Sequence, residues 1–385
     1  MLFLVFAILA FVSLVLTFWR WVVSTRFPLH RRASEPSAPS PAGLTVLKPL
    51  KGCNEETKRC LRSWFTQQYP GPVQILLGVA AGDDPVCAVA HELLAEFPGA
   101  DARLIICGES LGANGKVSTL RQLEPYIRHP LVMVSDADVE VGADFAAGIA
   151  PLLAAPGTGL VNCFYRLANP ATPAMCWEAI AINADFWSQV LQARSLAPVD
   201  FALGAVMSMP AAMLRQIGGF APLADYLADD FELGRSIARA GGRIEFANAV
   251  VDCREAPAGW QEVWKHQLRW ARTIRVCRPL PYFLSVLSNA TLWPVLWLLA
   301  AKDATAAIFC VVALLFRVAS AAQQQKRLTQ SGAHWAYAWL TPVKDLLDVL
   351  IWAAAFWGSQ VEWRGERYRV LTGGKLSKMK AVSGS

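Results

Sequence analysis

Residues 2–19, LFLVFAILAFVSLVLTFW, contain no charged side chain. As a helix the run is about long enough to cross the ~30 Å hydrocarbon core of a bilayer. A signal peptide would place basic residues before the apolar run and a small-residue cleavage site after it. Here no Lys or Arg precedes the run, and Arg20, Arg26, Arg31 and Arg32 follow it. The expectation is an uncleaved anchor over residues 1–22, its carboxyl side in the cytoplasm and Trp19 and Trp21 in the interface.

Composition supports a membrane setting. The chain of 385 residues is 54% apolar and holds 15 Trp, with positive mean hydropathy, more than a soluble enzyme of this size carries. The net charge is +6, but the basic residues crowd at 20–32, 265–278, 326–327 and 364–380, each beside an apolar segment. Anionic headgroups would sit there, so a bilayer surface, and no nucleic acid, is the expected partner. Nine scattered cysteines show no C-x-x-C and no paired Cys/His spacing, which argues against zinc and fits a reducing compartment.

After the first segment, residues 23–43 read as a linker, with SEPSAPSPAG at 34–43. Short apolar runs then follow at 44–50, 73–80, 102–107 and 131–135, separated by helical stretches. The clearest helix starts at Asp84-Pro85, a cap residue before Pro, and repeats Val86, Ala90, Leu93, Leu94 and Phe97 at helical spacing. This alternation predicts an open α/β sheet, mainly parallel. GLVNCFYRL, ALGAVMSMP and RIEFANAVV read as further strands, AAMLRQIGGF and ADDFELGRSIARAGG as helices. Residues 259–280 are basic and aromatic, as in a helix lying in a membrane surface. Residues 281–300 and 304–322 are plausible spans, although Arg317 is an awkward charge in the second. Residues 335–358 are interrupted by Pro342, Lys344, Asp345 and Asp348. A single crossing there would put the basic tail, 359–385, outside, so a re-entrant or interfacial hairpin is expected within 281–358.

In such sheets ligands collect beyond the carboxyl ends of the strands. Lys48-Pro49-Leu50 after the first strand, Asp83 after the second and Asp136-Ala137-Asp138 after the fourth all belong to that edge. The first loop, KPLKGCNEE, has neither G-x-G-x-x-G nor a P-loop, which disfavours dinucleotides and P-loop chemistry. Asp136 and Asp138 are either a solvated turn or a carboxylate pair for Mg²⁺ or Mn²⁺, which bind phosphates in their remaining positions. Asp84 caps its helix and leaves Asp83 for a ligand. Lys116 is a loop charge or a phosphate contact. One of Asp229 and Asp230 caps a helix, and the other is a candidate general base. Arg269 either meets a ligand or snorkels to lipid phosphate.

In this order the pieces resemble a known family. Asp83, Asp136-Ala137-Asp138, Asp229-Asp230 and HQLRW are similar to the D, D-x-D, [ET]-D and [QR]-x-x-R-W series of membrane-bound inverting glycosyltransferases. VLKPLKGCNEE, YPGPVQILLGVAAGDDPV, GANGKVSTL, QIGGFAPLADYLADDFELGRSIARAG and WRGERYRVLTGG resemble ceramide glucosyltransferases and their hopanoid-linked bacterial relatives, from about residue 44 to 374. His266 departs from the pattern, standing where that family usually has Gln or Arg.

The resemblance implies a GT-A catalytic domain over 44–258 that binds a UDP-sugar. Pro49 and Asp83 would be substrate contacts, Asp83 at the uridine. Asp136 and Asp138 would hold the metal-bound diphosphate, with Mg²⁺ or Mn²⁺ as cofactor, and Lys116 would stabilise its charge. Asp230 would be the catalytic base with Asp229 beside it. His266, Arg269 and Trp270 would close over diphosphate and acceptor. The implied reaction moves one sugar from UDP-glucose or UDP-N-acetylglucosamine to a hydroxyl of a ceramide- or hopanoid-type lipid. The implied location is the inner membrane, multi-pass, with the catalytic domain cytoplasmic. A processive polysaccharide synthase is the alternative, and a non-catalytic nucleotide-sugar-binding membrane protein a remote one.

Overall fold

The computed structural model describes residues 2–31, 42–363 and 366–379. Of the expected Pro/Ser linker, residues 34–41 lie outside the described residues. The chain divides into two compact units, one comprising residues 29–169, 198–256 and the segment from 368 onward. The other comprises residues up to 28, 170–197 and 257–367. Residues 170–197, expected inside the catalytic domain, therefore belong to the apolar unit.

The first unit is built on eight strands: β1 Leu44–Leu50, β2 Val73–Val79, β3 Asp101–Ile106, β4 Leu131–Ser135, β5 Val139–Glu140, β6 Thr158–Leu167, β7 Val206–Pro210 and β8 Arg243–Cys253. Their spatial order is β3-β2-β1-β4-β7-β6-β8-β5. Every residue of β1 and β4 is buried, because helices cover both faces. Val46 and Leu50 join one apolar cluster with Trp64, Leu93 and Phe145, whereas Leu47 joins the other with Val117, Leu120 and Leu233. That alternation is the two-residue period of a strand read from both sides.

The first four strands read from the sequence, β1 through β4, are parallel as expected, and so are β6 and β8, but β7 runs antiparallel to β4 and β6, and β5 antiparallel to β8. A buried apolar run looks the same whichever way it points, so direction was not readable from its pattern. One expectation needs correction. Lys48 and Pro49 lie within β1 rather than beyond it, Pro49 opposite Gly78 of β2.

Among the described residues, the apolar unit holds two helices long and apolar enough to cross a membrane, Leu2–Arg26 and Ala304–Thr329. The anchor thus runs past residue 22. The expected span at 281–300 is broken: Pro279–Ser288 and Leu292–Ala301 meet at 53°. Lys302 closes the latter helix in the left-handed region, at φ 53°, and the Asp303 side chain accepts from the Ala306 N–H at 2.8 Å to start the next. The two helices turn on two residues because each end is capped. Helix Thr341–Ala354 has 14 residues, about 21 Å, too short to span.

Arg317, awkward in sequence, is buried and paired with two carboxylates. Its guanidinium donates to both carboxylate oxygens of Asp345, at 2.7 and 2.8 Å, and to Asp185 at 2.8 Å. Arg20 lies 3.3 Å from Asp185, and Lys344 pairs with Asp185 and with Asp348. Asp185 sits on a π-helical turn, Ala181–Phe186, between helices Pro173–Ile180 and Trp187–Arg194. One closed charge network therefore ties four segments of this unit together.

Candidate active site

The carboxyl ends of β1, β2 and β4 share one edge of the sheet, and there the chain turns at Asp136-Ala137-Asp138. The turn is held by the Asp136 N–H donating to Ala205 O at 3.1 Å, and β5 follows at once. Facing it is the start of helix Gly115–Leu123. Asn114 caps that helix, its side chain accepting from the Val117 N–H at 3.1 Å. Asn114 is fully buried, and its amide also donates to Tyr226 O at 2.8 Å and reaches Asp229 at 3.5 Å. Capping directs the next side chain, Lys116, into the cleft. Its Nζ lies 2.7 Å from Asp136 Oδ1 and 3.4 Å from Asp229 Oδ2.

Asp229 and Asp230 open helix Asp229–Arg239, but neither is its N-cap, which is Ala228. Asp229 is spent on Lys116 and Asn114. Asp230 accepts from the neighbouring Phe231 N–H at 2.8 Å. Its other oxygen lies where a Cβ on Gly204 would come within 2.9 Å, so a side chain at 204 would displace it. The sequence expectation that one of the two acids caps the helix is corrected: neither does.

The electrostatics follow from these positions. Burial and the adjacent Asp229 carboxylate push the Asp230 carboxyl up to about 6, with Lys116 and the Phe231 N–H opposing. Burial works against the charge on Lys116, but Asp136, Asp229 and Asp230 outweigh it and hold the ammonium above its usual value. The sequence places a second cation, Lys48, at this edge without giving it a role. Lys48 is wholly buried, its Nζ donating to Ser135 Oγ at 3.1 Å and to the Asp136 carbonyl, and burial lowers it to about 8. Tyr165 on β6 feels Asp230, Asp136 and Asp138 too, and burial keeps its phenol protonated. The run LKPL marked Lys48 but hid its burial, because a lysine inside an all-buried strand contradicts the ordinary preference; GANGK, an N-cap signal, made Asn114 findable.

The remaining expected residues fall as follows. Asp83 is exposed beyond β2. Asp84 is bound locally, accepting from the Val86 and Gly52 N–H groups at 3.0 Å, although Pro85 is the formal cap of helix Val86–Glu96. Asp138 follows Asp136 on the same edge, its carbonyl accepting from the Arg254 N–H. His266, Arg269 and Trp270 lie on helix Trp260–Cys277 of the other unit. There His266 Nδ1 is 2.7 Å from the buried Glu178, whose same oxygen accepts from Gln267, and its ring stands edge-on to Trp270 at 4.8 Å.

A family model described as glycosyl transferase family 21 matches residues 4–376. This chain belongs to that family. Its mixed α/β sheet is that of GT-A glycosyltransferases. Ceramide glucosyltransferase 3 of Caenorhabditis elegans is 25% identical over 226 residues, 56% of this chain and 47% of that protein. The ceramide glucosyltransferase of Komagataella phaffii is 34% identical over 116 residues, 29% of this chain and 22% of that protein. The chain thus spans about half the length, or less, of these curated relatives. Among solved structures, mannosyltransferase PcManGT from Pyrobaculum calidifontis, in complex with GDP-Man and Mn2+, covers 90% of this chain and 98% of its own. With a TM-score of 0.52 and 20% identity, the likeness is one of fold.

The donor set of this family 21 member fits a divalent cation. Asp136 and Asp138 offer hard carboxylate oxygens two residues apart in a turn, and the Asp136 side chain keeps 32% of its exposure. Acid outweighs base there: the four carboxylates of Asp136, Asp138, Asp229 and Asp230 meet the two ammonium groups of Lys48 and Lys116.

Proposed function

We propose that this glycosyltransferase moves one sugar from a UDP-sugar, UDP-glucose or UDP-N-acetylglucosamine, to the hydroxyl of a ceramide- or hopanoid-type membrane lipid, with inversion. The observation that carries the reading is the convergence of Asp136, Asp229 and Asp230 on Lys116 at the carboxyl edge of the sheet. The family membership, the apolar helices and the ceramide glucosyltransferase relatives support the lipid acceptor.

Asp230 acts as the base. A lipid hydroxyl is a weak nucleophile, and a carboxyl poised near 6 is ionised at neutral pH yet basic enough to take its proton. The hydroxyl oxygen attacks the anomeric carbon, the bond from that carbon to the diphosphate oxygen breaks on the opposite face, and UDP leaves. Lys116 neutralises charge growing on the diphosphate, and Asp229 keeps Lys116 aimed. Asp136 and Asp138 would hold Mg²⁺ or Mn²⁺, which supplies Lewis-acid stabilisation to the same leaving group. Asp83 and Pro49 are assigned to the donor, His266, Arg269 and Trp270 to the diphosphate and acceptor. Arg26 and Arg31, which follow the first apolar run, support a catalytic unit on the cytoplasmic side of the inner membrane.

Asp230→Asn tests the reading. Transfer to lipid should fall by about 10²–10⁴-fold while UDP-sugar binding, measured by calorimetry, survives. Turnover within twofold of the parent removes Asp230 from the base role. Mass spectrometry of the parent's product should show a single added sugar; a polymer would replace this proposal with a processive synthase.

A further inference from the structure

The segment read as a basic tail returns to the catalytic unit. Strands Glu366–Val370 and Leu376–Lys378 pair antiparallel, Val370 opposite Leu376 and Tyr368 opposite Lys378. The reversal between them needs Gly373 and Gly374, at φ 80° and 84°, a region that side-chain-bearing residues rarely adopt. It closes with the Leu371 N–H donating to Lys375 O at 2.8 Å.

The outer side of this reversal is occupied by the loop that leads into Asp229-Asp230. Leu376 N–H donates to Asp225 O at 2.6 Å, and Leu227 N–H donates to Gly374 O at 3.1 Å. Together they make an antiparallel bridge between Tyr226 and Lys375, with Lys375 Nζ 5.7 Å from the Tyr226 ring centre. Gly374 and Leu376 are buried and Lys375 is exposed, the alternation of a strand with one face covered. On its other side the same loop grips the start of the Lys116 helix. Asp225 Oδ1 accepts from the Ala113 N–H at 2.9 Å, and Tyr226 O accepts from Asn114.

We propose that residues 371–377 are a positioning strap: by adding a strand to loop 225–228 they hold Asp229, Asp230 and the Asn114-Lys116 corner in working register. The catalytic consequence rests on the reading of Asp230 above; the structural one does not. No residue of the strap touches a reacting group. Its backbone supplies partners for a carbonyl and an N–H that the irregular loop cannot satisfy within itself. The strap is more than 140 residues from the loop it holds, and most of the apolar unit lies between them in sequence. The active site is thus completed only after that unit has been made.

The test uses the full chain in detergent or nanodiscs. Leu376→Pro removes the N–H given to Asp225, and truncation after Val370 removes the strap; Ser377→Ala, at an exposed position, is the control. The expected result for both variants is at least about a tenfold drop in kcat with donor KM changed less than about threefold. Hydrogen exchange of the Leu227 amide should rise by at least about tenfold, with Ser377→Ala unchanged in both. Unchanged Leu227 exchange in a folded Leu376→Pro or truncated protein overturns the strap. If exchange rises as expected but Asp230→Asn of the parent still turns over, the strap stands and the base assignment falls.

Discussion

Both units carry clustered charge, and the two clusters are built on opposite rules. In the apolar unit Arg20, Arg317 and Lys344 meet Asp185, Asp345 and Asp348, three charges of each sign. The Arg317, Asp185 and Asp345 side chains keep only 2%, 4% and 5% of their exposure, while Asp348 at the rim keeps 36%. In the catalytic unit Lys48 and Lys116 face Asp136, Asp138, Asp229 and Asp230, and Asp136 remains accessible. A network with equal numbers of each charge pairs its members with one another and serves to join helices. The acid-rich one has more carboxylates than cations, and Asp229 adds to the burial that raises the Asp230 carboxyl.

Breaking the closed network should cost the most. Asp185→Asn leaves two guanidinium groups and an ammonium short of a partner, and about 3–5 kcal/mol of stability should be lost, read as a fall in melting temperature in detergent. Asp230→Asn should do the reverse. Because the folded-state carboxyl is raised, ionising it at pH 7 opposes folding, so the variant should melt no lower than the parent although transfer collapses. A lower melting temperature would show that Asp230 is structural, and the contrast between the units would fail.

Lys116→Met should reduce kcat by about 10²-fold, since it strips the diphosphate of a fixed charge and leaves Asp136 and Asp229 unpaired. Gly204→Ala is a gentler probe. Its Cβ crowds Asp230 Oδ2, and a shifted base should cost about tenfold in kcat with little change in donor KM. The smallest perturbation is pH. With Asp230 near 6 the base is ionised above that value, so kcat should rise about tenfold from pH 5 to 7 along one protonic step. Metal bound at Asp136 and Asp138 would move that limb to lower pH. An unchanged limb in Asp230→Asn would assign it to another group.

Much of this was legible in one dimension. Residues 2–19 announced a membrane helix, and the strand ends placed Asp83 and Asp136 on one edge, because hydropathy and period are local properties. Asp229-Asp230 were marked as one cap and one spare acid, but the reading missed that Lys116 and Asn114 would claim Asp229 and leave Ala228 as the cap. Arg317 looked like a fault in a span because its partners lie 28 and 132 residues away.

The sequence alone determined which segments are apolar, where most strands of the sheet run, and which motifs carry acid and base. Only the tertiary structure decided that β7 runs against β4, that Lys48 lies buried behind Asp136, and that residues 371–377 return to brace the acid loop. The reason is physical. Local pattern records the solvent exposure of each residue, whereas strand direction, charge pairing and strand addition depend on partners that only chain folding brings within a few ångströms.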